Sequence, residues 1–98
     1  MPNSVKKAAV DGVAVVSSQG STRTQVTILP ISASGTGTLT ALPAGGTAYE
    51  AVYDSGGNAL TSIALSAQKT YLVEGFYSGF KLTSSNTADT FELFATSL

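Results

Sequence analysis

The sequence predicts an all-β protein, an antiparallel β-sandwich or jelly-roll-like domain with about eight short strands. Turn residues recur roughly every 8–12 positions along the 98-residue chain, a spacing typical of sandwiches and barrels. Between these turns, apolar and polar side chains alternate, as they do along a strand that buries one face. No segment keeps the apolar period of an α-helix for long enough to indicate a helix.

The clearest pattern lies in residues 47–76 and predicts a meander of three strands. Tyr49 and Tyr53 share one face of the first strand, because side chains an even number of residues apart point the same way. The sequence Asp-Ser-Gly-Gly-Asn at 54–58 predicts a turn after it, since these residues tolerate turn geometry. Because a parallel crossover needs about a dozen residues, the short connections predict antiparallel neighbours.

The other elements follow from turn residues and strand-favouring runs. Turns are expected at 19–21, 43–46 and 77–79, a loop or irregular strand at 33–38, and a polar loop at 85–89. Pro30 cannot donate a backbone hydrogen bond, which indicates a sheet edge or a bend at that point. Strands are predicted at 13–18, 24–32, 38–42, 80–84 and 90–96.

The N-terminal segment is ambiguous. Residues 1–12 are predicted to form an arm or lead-in segment, and residues 13–98 a single β-sandwich domain. The segment either leads into the first sheet strand or reaches a neighbouring subunit. Lys6 and Lys7 before an apolar run are typical of a secretion signal, but Asp11 and Gly12 interrupt that run too early. No run approaches the roughly 20 apolar residues of a membrane span, so neither a signal peptide nor a membrane partner is expected.

The composition is poor in charge. Charged residues make up 11% of the chain, against roughly 25% in an average domain. The net charge is −1, so copies repel one another only weakly, which fits a component of an assembly and a self-adhering monomer alike. The basic side chains form no cluster that would track phosphates, so no nucleic-acid partner is expected. They are Lys6, Lys7, Arg23, Lys69 and Lys81.

Few side chains suit catalysis. Cysteine and histidine are absent, which excludes disulfides and thiolate chemistry and removes the usual base and transition-metal ligand. A serine paired with Lys69 or Lys81 is formally open, but no motif supports it. Glu50 and Glu74 would suit glycoside hydrolysis only if their strands were adjacent; otherwise they face solvent. We therefore expect no enzyme, catalytic residue, metal or cofactor, and residues 54–58 are more typical of a turn than of a calcium loop.

The aromatic side chains all lie between Tyr49 and Phe94. They form either a sandwich core with a tyrosine rim or an exposed row that stacks sugars or anchors an interface. The candidate interface or ligand contacts are Tyr49, Tyr53, Tyr77 and Phe80. A carbohydrate-binding module using the three tyrosines is the competing function class. The full set is Tyr49, Tyr53, Tyr71, Phe76, Tyr77, Phe80, Phe91 and Phe94.

Residues 42–82 carry a resemblance to a known class of proteins. The progression Val-Tyr-Asp-Ser-Gly-Gly-Asn at 52–58, followed by Thr-Tyr-Leu-Val-Glu-Gly-Phe at 70–76, resembles small β-sandwich structural proteins of tailed-bacteriophage virions. The resemblance implies a structural virion protein, specifically a capsid decoration (cement) protein on the virion surface. Its implied partners are a protein shell of major capsid protein and copies of itself, as a homo-oligomer. The alternative is a carbohydrate-binding or receptor-binding module, such as a tail or fibre component.

Overall fold

The computed structural model describes residues 3–17 and 22–98 and confirms the predicted all-β sandwich. Its strands form a four-stranded sheet in the order β1-β9-β3-β7 and a five-stranded sheet in the order β2-β8-β4-β5, with β6 also paired to β4. All pairings between strands are antiparallel. The strands are β1 (Asn3–Ala8), β2 (Val13–Ser17), β3 (Arg23–Ser32), β4 (Thr36–Pro43), β5 (Glu50–Ala51), β6 (Ile63–Ala64), β7 (Lys69–Glu74), β8 (Tyr77–Ser84) and β9 (Thr90–Ser97).

The core lies between the two sheets and follows from the alternation in the sequence. Every second residue of β9 is buried, and β3, β4 and β8 turn buried side chains inward in the same way. Each large apolar side chain removed from water contributes about 1.5–3 kcal/mol, so these rows hold the sheets together. The largest fully buried apolar side chains are Phe80, Phe91, Ile28, Leu39, Leu65, Leu82, Leu93, Val26, Val52 and Val73.

The predicted meander at 47–76 is confirmed at its first turn, where Tyr53 pairs antiparallel with Ala59 and the Leu60 N–H donates to the Val52 carbonyl at 3.1 Å, but it is wrong for the rest of the pairing. The strands β5 and β6 are two residues long, and both pair with β4 rather than with each other. The third strand, β7, belongs to the other sheet and pairs with β3. Residues 65–68 cross from one sheet to the other, and a short connection at a sandwich corner permits that crossing as readily as a hairpin. The turn at 54–58 is present, with the Asp54 N–H donating to the Asn58 carbonyl at 3.0 Å.

The connection between β7 and β8 is tighter than predicted. The turn expected at 77–79 lies instead at Gly75 and Phe76, and Tyr77 already begins β8. Gly75 has a φ of 132°, a backbone conformation that residues with a side chain rarely adopt. The turn predicted at 19–21 lies outside the described residues.

Replacement of Gly75 by alanine should lower the free energy of unfolding by about 1–3 kcal/mol, because it combines a strained φ with a steric clash. A Cβ atom at this position would lie 2.9 Å from the Tyr77 ring. Gly45→Ala is the matched control: Gly45 also has a positive φ, of 79°, but a Cβ atom added there would have no neighbour within 4 Å. Urea unfolding of both variants measures the difference; equal losses would mean that the Tyr77 ring moves freely.

Pro30 marks an irregularity in the middle of a sheet. It lies in β3, which is flanked by β9 and β7, and the register with β9 shifts between Pro30 and Ser32. The pairing with β7 ends at Ile28, so no neighbouring strand requires a backbone donor from Pro30. The predicted bend therefore lies in the part of β3 that extends past Lys69, the first residue of β7, although β3 is a central strand over most of its length.

The N-terminal segment contributes a strand to the sandwich. β1 pairs with β9 along its length, from Asn3 opposite Ser97 to Ala8 opposite Glu92. The Lys6 ammonium lies 3.3 Å from the Glu92 carboxylate, which adds an ion pair to the backbone pairing. Residues 3–8 therefore form the outermost strand of the four-stranded sheet, and the division predicted after residue 12 stays a prediction.

Candidate interaction site

The four aromatic side chains predicted as contacts occupy different environments. Tyr53 is 57% exposed and lies at an isolated bridge to Ala59. Tyr49 is half-buried, and the Lys81 ammonium lies 4.6 Å from its ring centroid. This cation–π contact covers a ring face that a sugar would need for stacking. Of the predicted tyrosines, Tyr53 is therefore the one with most of its surface open to a partner.

Phe80 is not available to any partner. Its side chain is completely buried between the sheets, and the Tyr77 ring packs edge-on against it with centroids 5.7 Å apart. Phe80 shares its phase along β8 with Leu82 and Ser84, which are also buried. Phe80 is therefore removed from the candidate contacts, and Tyr77, which packs partly buried against the core, keeps limited exposure.

The acidic pair considered for catalysis is separated. Glu50 lies on β5 in the five-stranded sheet, whereas Glu74 lies on β7 in the other sheet, opposite Arg23. The condition for a shared carboxylate site, adjacent strands, is therefore not met. Among the described residues there is also no group of three histidine, cysteine, aspartate or glutamate side chains that could hold a metal.

The Asp54 carboxylate stabilises the turn in which it lies. Its carboxylate accepts backbone N–H hydrogen bonds from Asn58 and Gly56, both at 2.9 Å. The hydrogen bond from Asn58 is the main reason that the pKa of this carboxyl lies below its ordinary value of 3.8. A carboxylate that closes a turn in this way is a structural group, which agrees with the predicted turn.

A second aspartate connects two loops at one end of the sandwich. Asp89 is almost fully buried, and its carboxylate accepts hydrogen bonds from the Ser34 N–H at 3.0 Å, the Gly35 N–H at 2.9 Å and the Ser84 hydroxyl at 2.7 Å. The Ser84 hydrogen bond is the main reason that the pKa of Asp89 lies below 3.8. A shallow depression of about 230 Å³ lies beside it, but all these hydrogen bonds are internal. We call Asp89, Ser34, Gly35 and Ser84 the aspartate latch.

Exposed apolar side chains lie at both ends of the four-stranded sheet. Val10 and Ile31 are 67% and 65% exposed; Val10 follows the end of β1 and Ile31 is the penultimate residue of β3, on either side of the start of β9. At the opposite end, Phe76 and Leu98 are 59% and 51% exposed and follow β7 and β9. Each end of this sheet therefore presents two apolar side chains to solvent.

Sequence reasoning missed these end positions. Val10, Ile31 and Phe76 each stand beside a turn or at a strand end, where no apolar side chain is needed for the core. An apolar residue next to a turn signal, such as Val10 before Asp11 and Gly12, was the available clue. The eight aromatic residues between Tyr49 and Phe94 form a more visible pattern, which directs the prediction of contact residues to them and away from single aliphatic side chains.

Comparisons with known proteins show the fold and no more. No protein-family model and no curated protein matches the chain. A solved structure of Bacillus endospore appendages, which form a novel family of disulfide-linked pili, is similar over 98% of this chain and 81% of its own, with a TM-score of 0.56. The sequence identity is 16%. The chain shares a fold with a pilus protein. Among the described residues, no helix is long and apolar enough to cross a membrane.

Proposed function

We propose that this protein is a structural subunit of a repetitive assembly and binds copies of itself. The observation that carries the proposal is the placement of exposed apolar side chains at both ends of the four-stranded sheet, Val10 and Ile31 at one and Phe76 and Leu98 at the other. Copies that meet at these ends would remove apolar surface from water without changing the fold. The fold shared with a pilus protein supports the same role.

Contacts between copies of this chain are non-covalent or use chemistry other than a disulfide. The similar pili are disulfide-linked, whereas this chain contains no cysteine. Its net charge of −1 leaves little repulsion to overcome, so burial of apolar surface and backbone pairing are sufficient driving forces.

Two kinds of assembly fit this proposal, a viral shell and a polymer of the chain alone. The resemblance of residues 42–82 to phage virion proteins supports a capsid decoration protein that binds a shell of major capsid protein. The fold similarity to a pilus protein supports a polymer of the chain alone. Sedimentation velocity and negative-stain electron microscopy of the purified chain separate the two settings. Ordered polymers favour the polymer; small oligomers that bind only to added shells favour the virion role; a strict monomer that binds no shell contradicts both.

Replacement of Ile31 by serine should weaken self-association by about tenfold, because a contact residue in an apolar interface contributes about 1–2 kcal/mol. The free energy of unfolding should change by no more than about 0.5 kcal/mol, since the side chain is 65% exposed. Val15→Ser is the matched control: Val15 is also exposed but lies on the face of β2 rather than at an end. Equal effects of the two variants on sedimentation would contradict the end contact.

A carbohydrate-binding role is the second candidate, and the exposed ring of Tyr53 favours it. A glycan array with the wild type and Tyr53→Ala tests it directly. Sugar binding that is lost in Tyr53→Ala would support this candidate over the structural subunit, and an array without signal would remove it.

A further inference from the structure

The two outer strands of the four-stranded sheet each leave one edge unpaired. In an antiparallel pair, the backbone groups of successive residues point alternately toward and away from the partner strand. The hydrogen bond from the Ala9 N–H to the Phe91 carbonyl sets this alternation for β1, so the backbone groups of Ser4, Lys6 and Ala8 point away from β9. These groups have no backbone partner among the described residues.

The same argument applies to β7 at the other side of the sheet. The Gly75 N–H donates to the Thr22 carbonyl at 2.7 Å, in register with the pairing of β7 and β3. The backbone groups of Thr70, Leu72 and Glu74 therefore point away from β3, and the described part of the chain provides them with no backbone partner. Each outer strand is six residues long and carries neither a proline nor a register shift.

We propose that β1 of one copy pairs with β7 of a second copy, which joins their four-stranded sheets into one continuous antiparallel sheet. This inference rests on the proposed self-association and adds a second, lateral contact to the contacts at the strand ends. Strand directions alternate along the order β1-β9-β3-β7, so β1 and β7 run in opposite directions. A second copy placed beside the first in the same orientation therefore brings its β7 antiparallel to β1. The contact uses two different surfaces, and so it propagates into a chain or closes into a ring.

One register pairs every outward-pointing group. It places Ser4 opposite Glu74, Lys6 opposite Leu72 and Ala8 opposite Thr70, and each of these pairs exchanges two backbone hydrogen bonds. A shift by two residues in either direction leaves one of the three positions on each strand unpaired. The complete register is therefore favoured over its neighbours.

The side chains agree with this register. On the face toward the core it places Val5, which packs partly buried against the core, beside the buried Val73. On the outer face Lys6 lies diagonally across from Glu74, within reach of an opposite-charge contact. Lys7 comes opposite Tyr71, where burial and the nearby Asp54 carboxylate raise the pKa of the Tyr71 hydroxyl. The register therefore places one opposite-charge pair, Lys6 with Glu74, and one like-charge pair, Lys7 with Lys69, diagonally across the strands.

Other edge pairings are less favourable. Two β1 edges would bring Lys6 and Lys7 of both copies together, which places like charges across the strands. β2 has five residues, and one of them, Val13, already exchanges hydrogen bonds with Val10. β5 and β6 have two residues each. Pairing of two β7 edges is the remaining competitor, and the experiment distinguishes it.

Cysteine cross-linking tests the contact, because the natural chain has no cysteine and each introduced thiol reports a single position. Lys6→Cys and Leu72→Cys variants are mixed, oxidised mildly and analysed by mass spectrometry of the linked peptides. Opposite residues in antiparallel strands lie about 5.5 Å apart between Cα atoms, which a disulfide spans. We expect the mixed dimer to dominate over both homodimers. Dominance of the Leu72→Cys homodimer would overturn the proposal in favour of paired β7 edges. Thr27→Cys, in the middle of the sheet, should link to neither variant.

A proline substitution supplies the second test. The Leu72 N–H points outward, so Leu72→Pro removes no hydrogen bond within the chain but blocks a pairing strand. We expect thermal unfolding to show a folded protein whose self-association is weakened on the order of tenfold or more. Val15→Pro on the outer edge of β2 is the control and should associate like the wild type. Folded Leu72→Pro that associates normally would overturn the edge pairing yet keep the proposed function. A wild-type chain that never associates would overturn both.

Discussion

Phe80→Ala should lower the free energy of unfolding by about 3–5 kcal/mol, the usual loss when a fully buried aromatic side chain is truncated. The side chain is completely buried, packs edge-on against Tyr77 and sits in the same inward row as Leu82. A small domain has only about 5–15 kcal/mol of net stability, so the variant should lose a large part of it. Urea unfolding monitored by circular dichroism measures the change.

Phe76→Ala is the matched control for this experiment. The two phenylalanines are four residues apart, but Phe76 lies in the connection before β8 and is 59% exposed. Its truncation should change the free energy of unfolding by no more than about 0.5 kcal/mol. Self-association should weaken instead, because Phe76 belongs to one of the proposed contact ends. If both variants lost the same stability, the assignment of Phe80 to the core and of Phe76 to the surface would be wrong.

The contrast between these two residues shows what local sequence patterns can decide. Both are phenylalanines, four residues apart, and the sequence pattern alone places Phe80 among the candidate surface contacts. Its even spacing from Leu82 predicts a shared face with that leucine. That spacing was the available signal. Because β8 begins at Tyr77, Phe80 lies inside the strand, and its side chain points into the core with that of Leu82.

Strand existence was predictable where alternation is long. Residues 90–96 alternate, and β9 buries Phe91, Leu93 and Ala95 as that pattern requires. Val26 and Ile28 likewise share the buried face of β3. In these segments the burial of one face alone fixes the structure, so a local pattern is sufficient.

Strand pairing was less predictable, because it depends on residues that are distant in sequence. Residues 47–66 show strand patterns, yet the free edge of β4 takes both β5 and β6, and their buried neighbours Val52, Leu60 and Leu65 fill the space beside it. No local rule identifies β4 as the partner. The same holds for the exposed ends and edges of the four-stranded sheet, since a position becomes an edge only through the order of the strands.

The aspartate latch gives the second large expected effect, a loss of stability in acid. The pKa of Asp89 in the folded protein is held below its ordinary value of 3.8, mainly by the Ser84 hydroxyl and then by the N–H groups of Ser34 and Gly35. The folded state therefore binds this proton less readily than the unfolded state. The stabilisation is fully present above about pH 3.8 and is lost as the pH falls through the lowered pKa.

Asp89→Asn should remove this stabilisation at every pH. An asparagine amide has one oxygen, which accepts hydrogen bonds, and one NH₂ group, which only donates them. The NH₂ group would replace a carboxylate oxygen that accepts hydrogen bonds from Ser34, Gly35 or Ser84, so those hydrogen bonds would be lost. We expect a lower melting temperature at pH 7 and a flatter dependence of that temperature on pH below about 4. Thermal unfolding followed by circular dichroism across this pH range measures both quantities.

Asp54→Asn is the control that makes the test specific. The pKa of Asp54 is also lowered, so this residue contributes to the acid loss of stability in the same pH range. Its hydrogen bonds, however, lie within one exposed turn, whereas the Asp89 carboxylate joins the connection between β3 and β4 to the loop before β9. Because water can replace the partners in the exposed turn, Asp54→Asn should lower the melting temperature at pH 7 much less than Asp89→Asn. Equal losses would show that the latch does not join the two loops of the sandwich.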